Sequence, residues 1–303
     1  MFEVDLLFDG TLCLLLTVLA IAAIHARDLY TAVIMFISFG LLLALTWARL
    51  GAPDLALAEA AIGAGLTGVL LFSALARCAP ERATRTARPR MIAAAVLALA
   101  VMAILLQAAL PTLEMRSALP ALTRYHLPAS GVDHPVTAVL LNYRVWDTLL
   151  ELVVLLLALL GVRQLRPSGE AFPTAWPVLL AWARLLAPLG IVVAGYLLWR
   201  GSHAPGGAFQ AGALLAACIV VLRLAGMLGP MDWARFPTRV LVCGGVTAFL
   251  GVAVITGAWG DGWLVLPASM AGRLILGLEI IATLSIAASL ALLVVGEHRE
   301  MDG

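Results

Sequence analysis

Nine stretches of the chain are almost purely apolar, at roughly 6–24, 29–47, 55–76, 91–110, 147–162, 185–200, 207–227, 239–257 and 271–295. Runs of about 20 apolar residues are what a helix needs to cross the hydrocarbon core of a bilayer. The pattern therefore predicts an all-α integral membrane protein of about nine transmembrane helices. Short polar breaks separate the first three runs: His25-Ala26-Arg27-Asp28, then Ala48 to Pro53. Pro53 suits the first turn of a helix, where its missing N–H costs nothing. The longest polar stretch, 111–146, carries Pro111, Pro120, Pro128 and Pro135 and predicts an external loop or small hairpin, with Val136 to Leu141 as a strand. The stretch 173–184, with Trp176, Trp182 and Arg184, predicts an interfacial helix ahead of the sixth run.

Composition points the same way. The hydrophobic fraction is 63% and the charged fraction 12%, half the usual share in soluble domains. Mean hydropathy is +1.03. All 19 basic residues are arginine, so no lysine can carry a proton. Their placement sets an orientation, because loops rich in Lys and Arg stay cytoplasmic. Arg77, Arg82, Arg85, Arg88 and Arg90 crowd one loop. With that loop inside, the N-terminus lies outside, and 13 arginines fall inside (these five with Arg27, Arg163, Arg166, Arg184, Arg223, Arg235, Arg239 and Arg299) against six outside (Arg49, Arg116, Arg124, Arg144, Arg200 and Arg273). The acidic start, with Glu3, Asp5 and Asp9, lacks the basic head of a signal peptide and predicts a retained first helix. The net charge of +1 gives no sign of nucleic-acid binding. Cys13, Cys78, Cys218 and Cys243 make no C-x-x-C pair, and neither a disulfide framework nor a metal site follows from them.

In a membrane an ionisable side chain is costly, so each one inside a run is a candidate for function. Three carboxylates qualify: Glu59, Glu151 and Glu279. Glu59, Gly63 and Thr67 share a helix face, and Ala60, Ala64 and Gly68 make an adjacent stripe of small residues that lets a neighbouring helix come close. A carboxylate there faces protein, either as part of an ion path or as a structural hydrogen-bonding group. Arg144, Asp147 and Glu151 fall on one helix face; Asp147 also suits the positive helix N-terminus, and with Arg144 it could form a plain surface pair. Glu279 has Thr283 one turn away, which could satisfy it locally. On the nine-helix topology all three carboxylates sit in the outer half of the membrane, about 8–13 Å in. Between the sixth and seventh runs lies Arg200-Gly-Ser-His203-Ala-Pro205-Gly206-Gly207, a tight turn whose His203 could relay protons near neutral pH. No hydrolase, metalloprotease or phosphate-loop motif occurs, which leaves little for a membrane enzyme.

These motifs carry a resemblance. Gly51-Ala-Pro-Asp54-Leu-Ala-Leu-Ala-Glu59-Ala-Ala-Ile-Gly-Ala-Gly65 resembles the D-type chain of membrane-bound hydrogenases and the matching C-terminal part of the large A subunit of Mrp-type Na+/H+ antiporters. Asn142-Tyr-Arg144-Val-Trp-Asp147-Thr-Leu-Leu-Glu151 is similar to the F-R-G-F-D-T-x-G-E stretch of the following E-type segment. Arg184 through Gly212 resembles the B subunit of Mrp antiporters, whose turn reads roughly G-H-x-x-P-G-G-G-F-x-G-G. Val145 and Leu150 replace family glycines, Ser202 stands where the family has histidine, and Ala208 and Ala211 replace glycines of the turn. The resemblance divides the chain into a D-type block at 1–90, an E-type block at 91–171 and an MrpB-like block at 172–303.

The resemblance implies a subunit of a multisubunit Mrp-like cation/proton antiporter in the cell (inner) membrane, working with other antiporter-like membrane subunits to form a Na+ or H+ path and needing no cofactor. Its path residues would be Glu59, Glu151, Glu279, Asp54, Asp147, Arg144 and His203, with Pro205, Gly206 and Gly207 shaping the turn. The same module in a redox-driven, hydrogenase-type complex, or a non-conducting structural subunit, are the alternatives.

Overall fold

The computed structural model describes residues 2–77, 88–113, 117–165, 176–229, 231–260 and 262–296. Cys78, Arg82, Arg85, Arg116, Arg166, Arg299 and the stretch 173–175 lie outside the described residues. Every regular element among them is helical. α1 (Phe2–His25) and α2 (Leu29–Arg49) form a hairpin, with the Asp28 carboxylate accepting the Thr31 N–H at 2.7 Å as the cap of α2. That bond holds the exposed Asp28 carboxyl below its usual range. The third span is composite: α3 (Pro53–Ala58), a π-helical segment (Glu59–Leu66) and α4 (Thr67–Arg77). α5 (Arg88–Ala109) leads into short helices, α6 (Leu119–His126) and α7 (Pro135–Ala138), and a second π-helical segment (Val139–Tyr143). Five long helices follow: α8 (Val145–Gln164), α9 (Pro177–Arg200), α10 (Ala208–Leu224), α11 (Phe236–Trp259) and α12 (Ala271–Val295).

Among the described residues eight spans are long and apolar enough to cross a membrane, and α10 is a shorter apolar helix of 17 residues. It reaches about 26 Å, just under a hydrocarbon core of about 30 Å. The reason lies at both its ends. The turn before it sinks into the bundle, where Gly201, Gly207 and Ala208 are buried. At the other end Gly226, at φ +70, stops the helix.

The strand expected at Val136 to Leu141 is instead α7 and the π-helical segment. Pro135 opens that helix, and a lone strand would have left its backbone groups without partners in a bundle of helices. Nor is 177–184 a separate interfacial helix: it forms the first turns of α9, which runs unbroken through Pro188. Membrane helices tolerate such prolines because neighbouring groups compensate for the lost bond.

α12 is the centre of the bundle, buried along most of its length. α8, α10 and α11 pack around it through small residues. A methyl on Gly212 would lie 2.7 Å from Ile286 Cγ2, and one on Gly245 would lie 2.9 Å from Ser285 Oγ. The Ser285 hydroxyl donates to the Val242 carbonyl of α11 at 2.6 Å. In the first block Gly40 meets Ala64 of the π-helical segment, where a Cβ would stand 3.0 Å from the alanine methyl. This is the close approach expected of the small-residue stripe, made against α2. Arg49 closes the end of α1 and α2 on Asp5 and Asp9, both at 2.8 Å. α5 stands apart, exposed from Ile92 to Ala109.

Candidate functional site

One end of the bundle gathers the starts of α3, α8, α10 and α12, and it is the arginine-poor end. Asp54 lies in the first turn of α3. Its Oδ2 sits 2.9 Å from His134 Nε2, just ahead of α7, and its Oδ1 accepts the Gly206 N–H at 3.3 Å. Gln210 of α10 donates to the Asp54 carbonyl at 3.4 Å. The Asp133 and His134 N–H groups both donate to the Ser202 carbonyl, at 2.9 and 3.1 Å, and the Thr137 hydroxyl donates to the Gly201 carbonyl. Residues from all three sequence blocks thus meet in one polar knot.

Glu279 lies directly beneath the knot. A Cβ on Gly201 or Gly207 would stand 3.2 or 3.3 Å from its Oε1, so the two glycines are what let the turn close over the carboxylate. Gly206 and Gly207 adopt φ of +157 and +116, backbone that side chains resist. Ala208 and Ala211, which replace family glycines, sit inside α10, where alanine is at home. Glu279 is 1% exposed, and among the described residues its Oε2 has no hydrogen-bond partner. Thr283 does not supply one: its hydroxyl donates to the Glu279 backbone carbonyl at 2.7 Å. An unpartnered carboxylate oxygen in a dry helix bundle is costly, so a proton or a cation is its natural complement.

Glu59 opens the π-helical segment one and a half turns below Asp54 and is half-buried. Its carboxylate folds over Gly63, leaving no room there for a Cβ, which would collide with Oε1. The wider winding moves Thr67 off the spacing of a regular helix, and its hydroxyl donates to Ile62, five residues back, at 2.8 Å. Isolated π-helical turns inside α-helices occur often at functional sites.

The remaining expected residues fall elsewhere. Arg144 caps α8 and pairs with Asp147 at 2.6 Å on the surface. Glu151 is exposed, on a face with Asp147, Leu150 and Val154. The three carboxylates therefore do not share one setting within this chain: Glu279 is enclosed, Glu59 half-enclosed and Glu151 turned outward. His203 is exposed at the rim, 3.7 Å from Asp133, with its ring tilted against that of Trp199 at 5.8 Å between centroids. Pro205, Gly206 and Gly207 lie in the turn ahead of α10. His134 escaped sequence reasoning: it lies in a proline-rich loop, and its partner Asp54 is 80 residues away in sequence.

Residues 14–80 match the MbhD family of MBH, and residues 178–298 match a domain related to the MnhB subunit of a Na+/H+ antiporter. No curated protein matches the chain. A solved chain of the Mrp complex from Dietzia sp. DQ12-45-1b is 25% identical, with a TM-score of 0.75 over 97% of this chain. That chain is much longer, and the match spans 35% of it. A chain of the membrane-bound sulfane sulfur reductase, an archaeal respiratory membrane complex, shares the fold at 23% identity and a TM-score of 0.54, covering 67% of this chain and 97% of that one.

Proposed function

We propose that the chain, which joins an MbhD-matching segment to an MnhB-related one, is a membrane subunit of the Mrp type and forms part of the path by which H+ or Na+ crosses the membrane in a multisubunit cation/proton antiporter. Its arginine-poor end faces outward and its host membrane is the cell (inner) membrane. Glu279 and Glu59 are the transfer residues. The observation that carries this reading is the fully enclosed Glu279, one oxygen unpartnered, under a turn tied to the first block through Asp54. An ionised carboxylate there is stable only with a counter-charge, so binding of a cation and binding of a proton exclude each other, which is what exchange requires. Glu59, beside a π-helical segment and level with α10, is the second station. Glu151 belongs to a surface that another membrane subunit covers.

The test is cation-driven proton movement in vesicles holding the assembled complex, followed with a pH-sensitive dye. Glu279→Gln removes the exchangeable charge with little change of shape and is expected to abolish the signal, and Glu279→Asp to retain part of it. Glu59→Gln is expected to slow it. Full exchange by both Gln variants in a normally assembled complex rules the reading out. Likeness to a chain of the membrane-bound hydrogenase type favours one second reading, the same module in a redox-driven complex. The chains that co-purify with this one distinguish the two.

A further inference from the structure

Gly207 has two oxygens at its open side. Among the described residues, and leaving out its chain neighbours, a Cβ there would have two heavy atoms within 4 Å: Glu279 Oε1 at 3.3 Å and Gln210 Oε1 at 3.7 Å. Which end of the Gln210 amide faces Gly207 follows from its other bond. Its nitrogen donates to the Asp54 carbonyl at 3.4 Å, and only the nitrogen end of an amide can donate. The oxygen end is therefore the one turned towards Gly207. An amide oxygen and a carboxylate oxygen thus border one small space, and an ionised carboxylate is an acceptor only. The second oxygen of the same carboxylate, Glu279 Oε2, is buried without a partner. The space exists because position 207 is glycine, whose φ of +116 is backbone that side chains resist. Two acceptors meeting at one point are complementary to a positive species between them.

Resting on the proposed role of Glu279, we propose that Gln210 is a second ligand of the exchanged cation: a Na+ ion beside Gly207 is held between the Glu279 carboxylate and the Gln210 amide oxygen. Hard cations take carboxylate and amide carbonyl oxygens as ligands. A carboxylate can hold a proton by itself, because the proton forms an O–H bond. A Na+ ion gives up water oxygens on entering a buried site, and one carboxylate replaces few of them. The amino end of α10 also opens at Gly207, and its partial positive charge opposes a cation. A neutral oxygen beside the carboxylate therefore matters much to a cation and little to a proton, and Gln210 sets the balance between the two. The amide is held by one long bond, 3.4 Å where the usual limit is about 3.2 Å. It is half-buried and loosely tethered, and its oxygen is free to close on an ion.

The experiment reads binding rather than transport. A hydrophobic carbodiimide converts a protonated carboxyl inside a membrane to a stable acyl urea, and a carboxylate holding a cation is shielded from it. In the purified assembled complex, at one pH and one ionic strength, modification of Glu279 is followed by peptide mass as NaCl replaces choline chloride. Na+ is expected to slow it in the native chain. Gln210→Met keeps the shape and removes both polar atoms. Half-protection should then need on the order of tenfold more Na+, the loss of one bond to a charged group, while the rate without Na+ stays at the native value. Gln210→Glu separates ligand from tether: it keeps an oxygen for the space beside Gly207 and loses the donation to Asp54. It should be protected at native or lower Na+ concentrations. No protection by Na+ in the native chain overturns the proposal, as does an identical Na+ dependence in Gln210→Met. A Gln210→Glu complex as impaired as Gln210→Met also overturns it, since the residue would then be a tether alone. Failure of the transport reading looks different: Na+ protects Glu279 and Gln210→Met weakens that protection, yet Glu279→Gln exchanges ions normally.

Discussion

Gly207 holds the turn above Glu279 at φ +116, where a Cβ would stand 3.3 Å from the carboxylate oxygen. Gly207→Ala therefore meets backbone strain of about 1–3 kcal/mol and presses on the carboxylate as well. The expected result is a lower thermal midpoint of the detergent-solubilised complex together with weakened cation-driven proton movement. Ala208→Gly, one residue further on, tests the contrast: that position is helical, and the change costs at most about 1 kcal/mol. A Gly207→Ala protein as stable and active as the parent would mean the turn is not held in this shape. Single residues were unevenly legible in the sequence. The carboxylates stood out because a charge in an apolar run has few innocent explanations, and Gly206 and Gly207 stood out as a pair after proline. That Glu279 is enclosed while Glu151 is exposed could not be read, because both sit in runs of equal apolarity. His134 could not be found at all: its meaning comes from Asp54, and only the folded chain brings them together.

Among the elements, α12 shows what holds the bundle together. Around it the lipid-facing and protein-facing surfaces are equally apolar, so packing and cross-helix hydrogen bonds discriminate between them. Ser285 donates to the Val242 carbonyl, and Gly245 leaves just enough room for it. Ser285→Ala should lower stability by about 0.6–1.7 kcal/mol, the range of such bonds between membrane helices. Ser285→Leu should do more damage by overpacking against Gly245, by about 1–3 kcal/mol. Unfolding of the complex in mixed micelles measures both, and equal stability of the two variants would show that α11 and α12 do not meet here. The existence of the spans was legible from apolarity alone, and the ninth run, 271–295, coincides with α12. Its central place was not, since hydropathy cannot tell a buried membrane helix from one bathed in lipid; only its run of alanines and serines hinted at it. The π-helical segments were equally hidden, because the same residues suit either winding. The strand expected at Val136 to Leu141 does not form, because a bundle of helices offers a lone strand no partner for its backbone.

At the scale of the whole molecule, two surfaces make sense only in company. α5 is exposed from Ile92 to Ala109, and the outward face of α8 carries Glu151 six residues past Val145, about 9 Å along the helix. A carboxylate facing acyl chains at that depth costs a few kcal/mol or more. Asp147, on the same face, is already paired with Arg144, and Glu151 gains nothing from that pair. Under the function proposed above, other membrane subunits lie against these faces. A lipid-soluble photoreactive probe separates the two situations. It should label α5 and the Leu150 and Val154 side of α8 heavily in the chain expressed alone, and spare that side of α8 in the assembled complex. Glu151→Leu should help the lone chain, by removing a charge from lipid, and hinder assembly, by removing a polar contact from the partner. Equal labelling in both preparations would leave Glu151 in contact with lipid, and with it would go both the interface on α8 and any place for Glu151 beside an ion path.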